Sequence, residues 1–213
     1  MEFTQYYFLN EVYRTMPRRR TNLTKRVSKL ERVSRPEVKH NQAESGEFET
    51  VGSVSGTMLY PQRTQQGGGR NQRVGDKVKS RNIRFQGLIK MPNNASNGTC
   101  AVRLLVLRSK IQDPTTSDMP NWYGVVDEDK FFVIKDFMTQ VSLLQGRTVD
   151  GSTFNTGSSI KKFKLNIPTG LRKLQYDGAS LQSPLNNEYI IYMLAENQSA
   201  EVAYNWQHYY IDN

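Results

Sequence analysis

From His40 onward the apolar residues come in short blocks, separated by stretches rich in Gly, Asn, Ser, Thr and Pro. Eight blocks stand out, at 46–60, 77–91, 100–109, 131–144, 160–167, 171–176, 188–196 and 200–211. Several alternate with period two. Ile83, Phe85 and Ile89 oppose Arg84, Gln86 and Lys90; Val102, Leu104 and Val106 share a side; Phe163, Leu165 and Ile167 oppose Lys162 and Lys164. Such alternation is the pattern of strands with one buried face. The run PNNASNG at 92–98 carries turn chemistry, so 100–109 is expected to be the hairpin partner of 77–91. Pro168-Thr169-Gly170 is expected to turn the chain between the fifth and sixth blocks. The connection 110–130, with Asp113-Pro114 and Met119-Pro120, has room for one helical turn, and 61–76, 146–159 and 177–187 read as loops. Eight strands with unequal loops and almost no helix predict an all-β, antiparallel sandwich or barrel. No internal repeat of 20–50 residues is visible.

Residues 14–39, RTMPRRRTNLTKRVSKLERVSRPEVK, cannot enter such a core. Ten Lys or Arg against Glu31 and Glu37 give them +8 of the formal net charge of +9. From His40 to the end, 19 basic residues nearly balance 16 acidic ones. The chain therefore divides into a basic arm, 1–45, and a folded domain, 46–213. Within the arm Leu23, Val27 and Leu30 recur at i, i+4 and i+7, with Lys25, Arg26, Lys29 and Arg32 on the other faces. This spacing predicts a short basic amphipathic helix over 22–33, opened by Thr21 or Asn22 and ended by Ser34-Arg35-Pro36. A dozen residues scarcely hold a helix alone in water, and the rest of the arm is expected to be disordered. Each cation that neutralises a phosphate releases a counterion, which drives salt-sensitive, sequence-independent binding to nucleic acid. No Trp, Phe or Tyr lies between Arg14 and Lys39, so the arm has no stacking surface for bases. The expected phosphate contacts are Arg14, Arg18, Arg19, Arg20, Lys25, Arg26, Lys29, Arg32, Arg35 and Lys39. The competing reading is a solvated basic tail or a nuclear import signal. In the body, Arg70, Arg73, Lys77, Lys79, Arg81 and Arg84 meet only Asp76 among acidic residues, and either extend the same electrostatic track or form a solvated edge.

Recognisable catalytic spacings are missing. There is no P-loop, no GxGxxG run, no His/Cys metal spacing and no Ser-His-Asp order. His40 adjoins the arm, and His208 lies among Trp206, Tyr209 and Tyr210, where a packed ring is expected. Cys100 reads as a small apolar filler, and as the single cysteine it excludes an intrachain disulfide. Asp127-Glu128-Asp129 reads as a solvated loop before it reads as a cation site. The sequons at Asn22, Asn94, Asn97 and Asn197 are expected to be chance occurrences. No apolar run approaches the roughly 18 residues of a membrane span. The opening MEFTQYYFLNEVYR lacks the layout of a signal peptide. These features predict a soluble, non-enzymatic protein of a reducing compartment. Met16-Pro17-Arg18-Arg19-Arg20 has the look of a second start that would make the first fifteen residues dispensable.

The ordered series GDKVKSRNIRFQG (75–87), VRLLVLRSK (102–110), KFFVIKDFMTQVSLL (130–144), IKKFKLNIPTGLRKLQYDG (160–178), EYIIYMLAEN (188–197) and YYID (209–212) resembles the jelly-roll capsid proteins of very small icosahedral viruses. Satellite tobacco necrosis virus and the circular, Rep-encoding single-stranded DNA (CRESS DNA) viruses have capsids of this kind. The resemblance runs from about residue 46 to the C-terminus; the first thirteen residues fit no pattern. It implies an eight-stranded antiparallel jelly-roll sandwich, with strands 1, 8, 3 and 6 in one sheet and 2, 7, 4 and 5 in the other. It also implies a self-assembling coat protein, sixty copies in a T=1 shell, whose arm packages a single-stranded genome. The expected partners are then other copies of the chain and nucleic acid, with DNA favoured over RNA by the MPRRR run and the nuclear signal. The expected locations are the virion and, during assembly, the host nucleus. No cofactor is required, although family capsids place a divalent cation such as Ca between subunits; Asp76 and Asp212 are the positions for one here. The alternative is a soluble β-barrel protein that binds single-stranded nucleic acid, which should interleave aromatic with basic residues on exposed strands. A third, a jelly-roll lectin or cytokine-like ligand, would have little use for the arm.

Overall fold

Alternation in the sequence becomes two-faced strands. In β4 (Lys77–Lys90), Val78, Ser80, Ile83, Phe85 and Ile89 turn inward, while Lys77, Arg84 and Gln86 remain exposed. In β8 (Lys161–Gln175), Phe163, Leu165, Ile167 and Leu174 are buried between exposed Lys162, Lys164 and Lys173. A computed structural model describes residues 37–54, 56–92, 95, 98–147, 153–178, 182–197 and 200–212, with backbone alone at 145–147 and 153–156. The arm residues before 37, with the helix expected over 22–33, lie outside the described residues.

The remaining elements are β1 (Val38–Glu44), β2 (Glu49–Thr50), β3 (Thr57–Leu59), β5 (Thr99–Ser109), β6 (Phe131–Arg147), β7 (Thr153–Ser158), β9 (Tyr189–Ala195) and β10 (Glu201–Asp212). One sheet runs β1-β10-β4-β8, with β2 also on β10; the other runs β3-β9-β5-β6-β7. All the strand pairings are antiparallel. With the minor strands β2 and β7 set aside, the orders are 1-8-3-6 and 2-7-4-5, the jelly-roll arrangement. The fold is an all-β sandwich.

The core lies between the sheets. Ile83, Phe85 and Ile89 of β4, Phe163 and Leu165 of β8 and Trp206 of β10 meet Val102, Leu104 and Val106 of β5 and Ile191 and Met193 of β9. Strand β5 is buried on both sides. Its Leu105 and Leu107 join Ile190, Tyr192 and Leu194 of β9 beneath Trp122 and Val126 of the long connection. Arg103 fastens that connection: it pairs with Asp136 at 2.7 Å and donates to the carbonyls of Trp122 (3.0 Å) and Gly124 (2.9 Å). The expected helical turn there is a 3-10 turn, Thr116–Asp118, with the Thr115 N–H donating to Asp118 at 2.9 Å.

Five sequence expectations are corrected. Residues 38–44, assigned to the arm, form strand β1, paired with β10 along its whole length. The block at 46–60 is not one strand but the short pieces β2 and β3. The blocks at 160–167 and 171–176 are one strand; at Pro168-Thr169-Gly170 the chain bulges instead of turning. The ladder jumps from Asn82↔Pro168 to Ser80↔Arg172, with Gly170 (φ +65°) and Leu171 (φ +54°) left-handed. Because β8 is an edge strand, the missing N–H of Pro168 disturbs no inner ladder. Nor is β5 the hairpin partner of β4: it pairs with β6 and β9 in the opposite sheet, so the two strands belong to different layers. The loop read at 146–159 holds the end of β6 and all of β7.

Candidate nucleic-acid interface

Pairing β8 against β4 puts two sets of cations on one open face. Lys77 lies opposite Gln175, Lys79 opposite Lys173, Arg84 opposite Asn166 and Gln86 opposite Lys164. Arg81 is exposed beside them at the bulge, whereas Arg172, also exposed, lies opposite inward-facing Ser80 in the register. Among the described residues, none of Lys77, Lys79, Arg81, Arg84, Lys162, Lys164, Arg172 and Lys173 makes an ion pair. Lys90, by contrast, is neutralised by Glu201 at 3.2 Å. Unpaired like charges on one low-dielectric wall sum their potentials and attract a polyanion.

The same face carries an aromatic ring. Tyr209 of β10 sits between Asn82 of β4 and His40 of β1 in the sheet register. The Arg84 guanidinium lies 5.1 Å from the ring centroid and donates to the Tyr209 hydroxyl at 3.4 Å. That hydroxyl donates in turn to Gln207 at 2.8 Å, and the His40 ring centre is 6.1 Å away.

Beneath one end of this face a buried polar network fixes the loop that precedes β4. The Gln62 side chain donates to Ser80 Oγ (2.9 Å) and accepts from the Tyr189 N–H (2.8 Å), and the main-chain carbonyl of Gln62 accepts from the Tyr176 hydroxyl (2.8 Å). Ser80 Oγ also bonds His208 Nε2 at 2.9 Å. His208 is fully buried and stacked on Tyr210. Desolvation pushes its pKa down to about 3, so the ring is neutral at physiological pH. Burial likewise raises the Tyr176 and Tyr210 hydroxyls above their ordinary value. Burial raises Tyr204 to about 12, with Glu49 adding to the effect.

The expected site residues now separate. Arg14, Arg18, Arg19, Arg20, Lys25, Arg26, Lys29, Arg32 and Arg35 lie outside the described residues. Lys39 belongs to β1 and points inward, with its ammonium 2.7 Å from Asp212 and donating to the Gln72 carbonyl at 3.2 Å. It is a structural cation, not an arm contact. Arg73 is likewise corrected: it is wholly buried, donates to the carbonyls of Thr64 (3.2 Å), Gly75 (2.6 Å) and Gly178 (2.5 Å), and lies over the Tyr176 ring. Arg70, Lys77, Arg81 and Arg84 are exposed, and Lys79 is half-buried. Cys100 is buried at the start of β5.

Asp76 faces Arg73 at 3.2 Å and Asp212 faces Lys39. No group of three or more His, Cys, Asp or Glu suited to a metal occurs among the described residues. Two carboxylates already neutralised by cations do not fit a Ca site within one chain. Sequence reasoning left Lys162, Lys164, Lys173 and Tyr209 out of the site. The outward alternation of Lys162 and Lys164 was visible, but their place beside β4 follows from a pairing between segments some eighty positions apart in sequence.

Away from this face, β6 exposes apolar side chains. Phe132, Val133, Ile134 and Met138 are 45%, 46%, 39% and 58% exposed, and Tyr123 and Val125 of the adjoining connection exceed 80%. Over this stretch β6 pairs with β5 alone, since β7 joins it only from Leu143 to Arg147. No helix of the described residues is long and apolar enough to cross a membrane. No protein-family model matches the chain, and no curated protein is similar to it.

Proposed function

We propose that this chain is a viral capsid protein that self-assembles, as sixty copies in a T=1 shell, and packages a single-stranded genome. The observation that carries the reading is the open face of β1-β10-β4-β8, where Lys77, Lys79, Arg84, Lys162, Lys164 and Lys173 have no ion-pair partner among the described residues. An isolated body gains nothing from such a face, because unscreened like charges repel each other and destabilise the compact state. Against a polyphosphate the same charges release counterions and favour binding. The arm adds +8 on residues 14–39, so each copy brings two separate sources of phosphate affinity. The exposed apolar stretch of β6 and the 110–130 connection supports assembly, since apolar patches of this kind mark contacts between proteins. The genome we favour is DNA, with assembly in the host nucleus and the virion as final location.

The test is nuclease protection. Full-length protein purified after exhaustive nuclease treatment is expected to retain single-stranded nucleic acid, and a variant of residues 38–213, which keeps the open face but loses most of the arm's charge, to retain less. Full-length protein with no protected nucleic acid would contradict the reading. Tyr209 among cations favours a second reading, a soluble single-strand-binding protein. That protein would bind nucleic acid as a monomer or dimer and leave it open to nuclease.

A further inference from the structure

We infer that the open face of β1-β10-β4-β8 holds unpaired bases as well as phosphates, with Tyr209 as the stacking platform. This rests on the nucleic-acid reading above and adds to it how the strand is held, by stacking of unpaired bases as well as by phosphate contacts. Tyr209 sits half-buried on the second strand of the sheet, with a cation beside it and amides along the neighbouring register positions. Arg84 presents a planar guanidinium at the ring, and planar cations themselves stack on bases. Gln207 holds the hydroxyl in place, and Gln42, the register partner of Gln207, continues the polar surface onto β1. The amides can donate and accept hydrogen bonds to base edges. On a purely electrostatic surface the aromatic ring would have no role. Within the core it would be buried, as the neighbouring Tyr210 is.

A duplex keeps its base faces inside the stack, so a ring on a broad sheet can engage only splayed or unpaired bases. The lysines at Lys79, Lys164 and Lys173 would then follow the backbone of the same strand. The arm, with no aromatic residue between 14 and 39, supplies charge without stacking. The two surfaces are therefore chemically distinct.

The test uses full-length protein at about 0.3 M salt, which weakens the phosphate contribution. The probes are a twenty-nucleotide oligothymidylate, the same strand carrying 5-iodouracil, and inorganic polyphosphate. Light-induced crosslinks of the iodinated strand are expected at Tyr209. Y209L is expected to bind oligothymidylate about tenfold more weakly, in line with the loss of one stacked base. Its salt dependence and its polyphosphate affinity should be unchanged, and Y209F should behave as the parent. Crosslinks confined to other residues would overturn the platform, whether or not Y209L folds. So would a folded Y209L that binds oligothymidylate as the parent does, and either result would leave nucleic-acid binding itself standing. Parent protein that binds none of the three probes would overturn both readings.

Discussion

Arg73 and Arg84 lie on one short basic stretch and look alike in sequence, yet their surroundings give them opposite tasks. Arg73 is enclosed by three carbonyls, Asp76 and the Tyr176 ring. Truncation would leave those buried acceptors without their donor. R73A is therefore expected to lose about 3 kcal/mol or more of stability in urea unfolding. R84A, on an exposed face, should lose less than about 0.5 kcal/mol. It should instead bind oligonucleotides more weakly and lower the salt slope by about one. Equal stability losses in the two variants would refute this division. Nothing in the local sequence distinguishes the two residues, because the carbonyls around Arg73 come from 64, 75 and 178. His208 gives a pH effect with a definite sign. The folded ring stays neutral down to about 3, whereas the unfolded chain takes up the proton near 6.5. Between those values the unfolded state binds more protons, so stability falls as pH falls. From pH 7 to pH 5 the histidine should account for a loss of about 2 kcal/mol. Urea unfolding of H208Q should show a pH dependence smaller by that amount; an unchanged dependence would mean that the ring is protonated in the folded protein.

At the scale of elements, the strands easiest to read were those with one wet and one dry face. β4 and the first half of β8 alternate visibly, and β9 is a continuous apolar run because every residue in it is buried. β1 was illegible for a physical reason: VKHNQAE has no apolar alternation, and it is a strand because β10 supplies hydrogen-bond partners from Asn205 to Ile211. The bulge in β8 carries the local chemistry of a turn, Pro-Thr-Gly, and only the continuing ladder with β4 reveals otherwise. The placement of β4 and β5 in different layers was hidden because a Gly/Asn-rich turn can close a hairpin or span two layers. Gly87 tests the closeness of the central ladder. A Cβ there would lie 2.4 Å from the Ala203 carbonyl and 2.6 Å from the Phe163 ring. The carbonyl belongs to the paired strand and cannot move without opening the β4–β10 ladder. G87A should therefore lose about 1–3 kcal/mol in thermal or urea unfolding. A fully stable G87A would show that β4 is held less closely between β10 and β8 at this point.

At the scale of the whole molecule two surfaces stand out among the described residues. Lys77, Lys79, Arg84, Lys162, Lys164 and Lys173, without ion pairs, line the β4–β8 side of one sheet, and Phe132, Val133, Ile134 and Met138 are exposed along β6 of the other. One surface suits a polyanion, the other suits protein contacts. The jelly-roll order was legible from the ordered blocks as a resemblance, while the basic face became legible only when strands distant in sequence were paired. Light scattering on full-length protein after size-exclusion chromatography is the most direct check on this account. Sixty copies of a 24.5 kDa chain amount to about 1.5 MDa. A particle of that mass is the predicted result; a monomer or dimer at all concentrations and salt conditions would contradict the capsid reading.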